Sequence, residues 1–395
     1  MKSRVLCNIY IGFWCLYYLQ GTLYSQGSII SRISLFFLLL FSFYGFIKIS
    51  QDKYKPKPLR WLTVLIICWS IYGIFPILFG MGAVAKAIEP FKYIKDIYIS
   101  MLPIFTFYWL GRKGALVEKD LRYWYPFFIA VTIALFYHNM YLAFEHMKAG
   151  AVGFTINSGY YVLSTIPLLI LFEKKPILQY AMLAIIMYYV LTSFKRGAII
   201  IGAISSLFLL YNGIKNKQVK GKQFKKQLLR IFLSVILVVG AVYAVQHLMM
   251  TDDYFVFRLE QTLEGNTSGR DDIYNQYYDF FANQTNIFNY LFGNGAYATL
   301  KVFDNYAHND WLEIAIDNGL IIVSIFAIYW VSLILYFFKN RRVDRTMSSM
   351  LALFILIYFI KSFFSMSYDQ TPPFASCALG YALAYLENKK RIKYV

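Results

Sequence analysis

The chain is poor in charge, cysteine and histidine. Only 15% of its 395 residues are charged, against 59% hydrophobic and 20% aromatic, and the mean hydropathy is +0.49. So apolar a composition excludes a soluble protein of this length and indicates a polytopic helical membrane protein. The cysteines Cys7, Cys15, Cys68 and Cys377 all fall in apolar runs without zinc or redox spacing, which leaves them as small packing residues. The histidines His138, His146, His247 and His308 also lack metal-ligand spacing, so neither a metal site nor a cofactor is expected. Low-complexity tracts, clear repeats and a soluble domain are missing as well.

What the sequence has is apolar runs. A span needs about 20 mostly apolar residues, and twelve candidates lie near 5–20, 29–47, 61–80, 97–111, 124–144, 159–172, 177–192, 198–212, 231–250, 319–338, 347–364 and 371–387. The first has a charged start but no small-residue cleavage pattern before Gln20, so it reads as a retained span rather than a signal peptide. With a cytoplasmic N-terminus, most of the 39 Lys and Arg residues fall in cytoplasmic segments, notably 48–60, 215–230 and 339–345. The positive-inside rule then places both termini in the cytoplasm. The net charge of +18 faces anionic membrane lipid, and no nucleic-acid partner is implied. The expected fold is all-α: a single domain over 1–395 with about 12 transmembrane helices and one large outer loop at about 251–318.

Against this charge pattern Lys195-Arg196 stands out, because in Thr192-Ser193-Phe194-Lys195-Arg196-Gly197 the two cations sit at the outer end of a span. That placement points to a bound anion. The outer loop adds to it. From Thr251 to His308 it holds eight acidic residues against Arg258, Arg270 and Lys301, so its arginines are individually placed rather than part of a basic coat. Its many Tyr and Phe residues supply enough apolar surface to fold. Ile273, Tyr277, Phe280 and Phe281 have the spacing of an amphipathic helix over 271–282, started by Ser268-Gly269, and Gly293-Asn294-Gly295 reads as a turn. Arg270 thus stands at a helix start, where free N–H groups favour an anion and a guanidinium can grip phosphate through two parallel hydrogen bonds. The competing reading pairs Arg270 with Glu264, Asp271 or Asp272. His308, at the return into the membrane and among polar neighbours, can exchange a proton near neutral pH. Asp271 or Glu313 could orient it, although surface solvation is the default for both.

These residues resemble a family. A Thr/Ser-x-x-Arg-Gly type motif at Ser193–Gly197, Ser-Gly-Arg at Ser268–Arg270 and His-Asn-(nine residues)-Gly from His308 to Gly319 are similar, in order, spacing and membrane side, to the O-antigen ligase and O-antigen polymerase superfamily of integral membrane glycosyltransferases, called WaaL and Wzy. The resemblance implies a GT-C-like fold in the bacterial inner membrane and a role in lipopolysaccharide or other surface-polysaccharide synthesis. It implies a donor glycan on undecaprenyl pyrophosphate, an acceptor glycan that is either the growing lipid-linked chain or lipid A core, a chain-length regulator as a protein partner, and inverting transfer at the periplasmic face without metal. Arg196, Arg270 and His308 would be catalytic, with Lys195, Arg258 and Asn309 in substrate binding. Two departures from the ligase pattern, Ile322 three positions after the motif glycine and Lys195 before the first arginine, together with an outer loop that is relatively short for the family, favour polymerase over ligase. A flippase or transporter is the rival from another class. Ion coupling is disfavoured because the ionisable residues of the spans, Arg32, His138, His247 and Lys361, lie near span ends.

Overall fold

A computed structural model describes residues 2–78, 90–148, 157–214, 222–251, 253–264, 269–368 and 373–393. Among these residues every regular element is helical. They form two compact units, the first comprising 1–20, 24–117 and 272–395 and the second 21–23 and 118–271.

The first unit contains α1 (Lys2–Tyr18), α2 (Ile29–Ser50), α3 (Lys57–Leu78), α4 (Pro90–Arg112) and most of α11 (Arg270–Ala282), then α12 (Ile287–Phe292), α13 (Ala298–Phe303), α14 (Asp310–Asn340), α15 (Arg345–Lys361) and α16 (Pro373–Lys393). Its core runs along α4, whose residues Leu102, Ile104, Phe105, Phe107 and Tyr108 are buried. Lipid is as apolar as leucine, so helices in a membrane associate by close packing, and small residues set how close they come. A β-carbon at Gly380 of α16 would lie 2.5 Å from the carbonyl oxygen of Ile104, and one at Gly45 of α2 would lie 2.6 Å from the Thr106 α-carbon. Both neighbours of α4 therefore rest directly on its backbone.

The second unit contains α5 (Glu118–Lys148), α6 (Gly159–Leu163), a 3-10 segment (Ile166–Phe172), α7 (Pro176–Leu191), α8 (Arg196–Ile214), α9 (Lys222–Thr251) and α10 (Asp253–Leu263). Buried Arg230 of α9 clamps this unit. Its Nη1 donates to Gly213 O at 2.7 Å and its Nη2 to Glu173 O at 2.6 Å, so one guanidinium satisfies carbonyls at the ends of two segments that have run out of helical partners.

Among the described residues six helical stretches are long and apolar enough to cross a membrane: Ile29–Ser50, Lys57–Phe75, Glu118–Glu145, Arg196–Ile214, Gln227–Thr251 and Asp310–Asn340. The other anticipated spans are also helical but fall short of that standard. α1, α7 and α15 have 17, 16 and 17 residues, about 24–26 Å of helix against a hydrocarbon core of about 30 Å. The run at 159–172 breaks into α6 and the 3-10 segment, with every residue from Gly159 to Phe172 buried except half-buried Tyr161. The free cysteines behave as packing residues, Cys7, Cys15 and Cys377 buried and Cys68 half-buried.

α14 is not one rod. Gly319 has φ 77° and ψ 178°, which divides it into a first segment to Asn318 and a second from Leu320, so the apolar run starting at 319 begins at the bend. The bend brings Trp311 to 5.0 Å from Phe326, ring centroid to centroid. A β-carbon on Gly319 would lie 2.4 Å from Gly293 N and from Leu291 O. Gly319→Ala combines that collision with a positive-φ, extended-ψ backbone open almost only to glycine, which alone costs an L-residue about 1–3 kcal/mol. The substitution is expected to lower the melting temperature of the purified protein more than Gly12→Ala, where the space is open.

Candidate functional site

In the first unit the site is built on the first segment of α14. Asn309 is its N-cap: the backbone is extended and Oδ1 accepts from Trp311 N at 2.9 Å and Leu312 N at 3.3 Å. Asp310 is fully buried; its N–H donates to Ser362 O at 2.8 Å and its Oδ1 accepts from Ser367 N at 2.6 Å, tying the helix start to the segment after α15. Glu313 and Asp317, one turn apart and hence on one face, are both fully buried. Glu313 accepts from Ala307 N at 2.7 Å and from the Thr299 hydroxyl, and Asp317 accepts from Tyr297 N at 3.0 Å and Thr299 N at 3.2 Å. Two carboxylates thereby hold the main chain of 297–307.

That segment is strained. Tyr297, Asp304 and His308 have φ of 55°, 58° and 52° without being glycine, a conformation that persists only where the surroundings impose it. Further restraints come from α11. Tyr277 OH donates to Asn305 O at 2.5 Å, and Tyr274 OH to Phe363 O at 3.2 Å and, weakly, to His308 O at 3.5 Å. Burial pushes the Tyr277 phenol up, and the Glu313 and Asp317 carboxylates push the same way, so it remains a neutral donor. Its ring packs with Ala298, Ala307 and Ile316, flanked by Ile273, Phe280, Phe281, Phe303 and Leu312. His308 itself is half-buried.

Asn318 completes the platform. It is fully buried and its Oδ1 accepts from Trp69 Nε1 at 3.1 Å and Tyr93 OH at 3.2 Å, joining α3 and α4 to the bend. Surface solvation of Glu313 is therefore incorrect: the carboxylate is interior, and it reaches the loop through the Ala307 N–H. Asp310, Asp317 and Asn318 carried no functional expectation. Their signal was present, since acids recurring at 310, 313 and 317 around Trp311, Leu312, Ile314 and Ile316 are too frequent for an apolar face without buried partners.

In the second unit the cationic pair follows a sharp turn. Ser193 is fully buried; its Oγ donates to Val190 O at 2.7 Å and accepts from Lys195 N at 3.3 Å. Phe194 has φ 52° and is buried, its ring 6.1 Å from that of Phe255 on α10. Lys195 and Arg196 follow half-buried, with Arg196 the first residue of α8. The α10 helix was not anticipated, and it supplies the buttress for the turn. Arg258 lies on α10 with its side chain outside the described residues, and Ser268 also lies outside them. Gly269 takes φ 73°, and Arg270, half-buried, opens α11 one residue from the expected helix start. Among the described residues no ion pair joins Arg270 to Glu264, Asp271 or Asp272. The two aspartates lie in the first turn of α11, where the helix dipole already favours them. His308 and Asn309 thus share the first unit, and Lys195, Arg196 and Arg270 the second. Among the described residues no group of three or more His, Cys, Asp or Glu could hold a metal ion.

Residues 181–327, from α7 to beyond the bend in α14, match the family described as O-antigen ligase. Over this segment the chain is similar to the O-antigen ligase family. The match encloses Lys195, Arg196, Arg258, Arg270, His308 and Asn309 together with the buried acids that support the loop. No curated protein matches the chain. The match supports a glycosyl-transfer-type enzyme of surface-polysaccharide synthesis, with lipid-linked glycan substrates and a polysaccharide acceptor.

The two acids should not be interchangeable with amides. Asp317→Asn replaces one accepting oxygen by a donor that faces backbone N–H groups, leaving a buried group unsatisfied at a cost of about 1–3 kcal/mol. Thermal unfolding should show that loss for Asp317→Asn and Glu313→Gln, and almost none for Asp279→Asn on the exposed side of α11.

Proposed function

We propose that residues 1–395 act as one inner-membrane glycosyltransferase that polymerises a surface polysaccharide, taking the glycan from undecaprenyl pyrophosphate at the periplasmic face. The observation that carries this reading is Arg270: half-buried at a helix start, within two residues of two aspartates, and in an ion pair with neither. A guanidinium left in that state suits phosphate oxygens. Arg196 and Arg270 bind the pyrophosphate, assisted by Lys195 and Arg258. His308 takes the proton of the acceptor hydroxyl as its oxygen bonds to the anomeric carbon, and the bond from that carbon to the pyrophosphate oxygen breaks with inversion. The leaving undecaprenyl pyrophosphate keeps the electron pair, and the arginines stabilise the charge it gains. Because the leaving group is already activated, the reaction needs no metal. Asn309, as N-cap, fixes the backbone from which His308 reaches the acceptor.

Transfer of finished polymer to lipid A core is the second reading, favoured by the printed description of the matched family; Ile322 and Lys195 weigh toward polymerase. The glycan profile of a deletion strain separates the two. Single repeat units on the core indicate polymerase, and full-length lipid-linked polymer with bare core indicates ligase.

The proposed topology has about 12 spans, both termini in the cytoplasm and 251–318 in the periplasm. A cysteine replacing Glu264 should then react with an impermeant reagent added outside the inner membrane, while one replacing Lys225 should not; the reverse pattern would remove Lys195-Arg196 from the donor side. At the donor site Arg196→Lys and Arg270→Lys keep charge but lose the two-pronged grip, so each should lower transfer by about tenfold or more at normal membrane levels. Full activity of Arg270→Lys would leave it a long-range or structural charge.

A further inference from the structure

The motif that presents Lys195-Arg196 depends on a residue outside every motif. Gly159 opens α6 within the second unit, and a β-carbon there would lie 2.5 Å from Ser193 Oγ, 2.7 Å from Ser193 Cβ and 3.7 Å from Ala198 Cβ. The first two distances are far inside van der Waals contact, and the second involves an atom that no rotamer change can move away. Ser193 cannot yield cheaply either, since its hydroxyl donates to Val190 O at 2.7 Å and accepts from Lys195 N at 3.3 Å. Behind it, Phe194 is held at φ 52°. The start of α6 is thus the floor on which the turn before Arg196 is set.

We propose that Gly159 is a positioning residue for the donor site: its missing side chain lets the backbone of α6 close onto Ser193 and fix the turn that orients Lys195 and Arg196 toward the pyrophosphate. The assignment of Lys195 and Arg196 to the donor rests on the function proposed above; the mechanical link from Gly159 to the turn does not. Gly159→Ala displaces Ser193, lengthens the Lys195 N–H to Ser193 Oγ contact and moves the cations without touching their charge. Misplacement by about 1 Å is enough to cost an oriented site up to about a hundredfold.

Full-length protein is compared with Gly159→Ala and with Gly240→Ala, a helical glycine of the same unit whose β-carbon would meet nothing within 4 Å. Gly159→Ala should raise the KM for synthetic undecaprenyl-pyrophosphate oligosaccharide by about tenfold or more and leave the KM for acceptor within about twofold, with a thermal transition that is lowered but stays above the assay temperature. Gly240→Ala should leave both KM values unchanged. A nitroxide on a cysteine at Thr192 reads the turn without donor, and its spectrum should sharpen in Gly159→Ala and not in Gly240→Ala. An unchanged nitroxide spectrum together with unchanged donor KM overturns the proposal. A mobilised turn with unchanged donor KM overturns the assignment of Lys195 and Arg196 to the donor and leaves the mechanical link standing. If Gly159→Ala does not fold, Ser193→Ala, which removes the hydroxyl but adds no volume, serves instead: it should mobilise the same nitroxide and raise donor KM, and wild-type behaviour in both overturns the proposal.

Discussion

Two buried carboxylates anchor the part of the molecule on which any chemistry at His308 depends. Glu313 and Asp317 face the same way from one turn of α14 and accept main-chain N–H groups of Ala307, Tyr297 and Thr299. Burial of an acid is costly unless hydrogen bonds compensate it, and here the compensation comes from the free N–H groups at the start of α13 and from Ala307 in the loop after it. Each partner supplies what the other lacks. The consequence is a loop stiff enough to hold three non-glycine residues in the left-handed region, His308 among them. The bend at Gly319 belongs to the same arrangement, since Gly295 N donates to Asp317 O at 2.9 Å and Asn294 N to Ile316 O at 2.9 Å across it.

The second unit repeats the device with different parts. Phe194, at φ 52°, comes two residues before Arg196, and its left-handed turn is held by the buried Ser193 hydroxyl and the Phe255 ring rather than by carboxylates. In both places an imidazole or cationic side chain lies at or next to a backbone conformation that the sequence around it would not adopt alone. Such strain is maintained by packing on rigid neighbours, and it yields side chains whose positions vary little.

Much of this was legible before the structure. The helix over 271–282 begins one residue early and ends at Ala282, because Ile273, Tyr277, Phe280 and Phe281 repeat with the helical period. The Gly293-Asn294-Gly295 turn was readable from composition, and it lies against the bend because only glycine fits there. The α10 helix had a signal in the sequence as well: after the Asp252-Asp253 break, Phe255, Leu259 and Leu263 recur every fourth residue. Periodicity could not decide where Glu313 points, since a lone acid near a membrane boundary reads as solvated until its partners are seen. Those partners, Ala307 and Thr299, are backbone or small groups that carry no sequence signature of the role they play.

In the function proposed above, the loop held by Glu313 and Asp317 presents His308 to the acceptor, separately from the groups that bind the donor. The most direct measurement pairs in-vitro glycan transfer with donor binding for purified His308→Ala, using synthetic undecaprenyl-pyrophosphate glycan. Transfer should fall by about 10²–10⁴-fold, the usual contribution of a general base, with donor affinity unchanged. Near-wild-type transfer would contradict the claim, and loss of donor binding would place His308 with the arginines at the pyrophosphate instead.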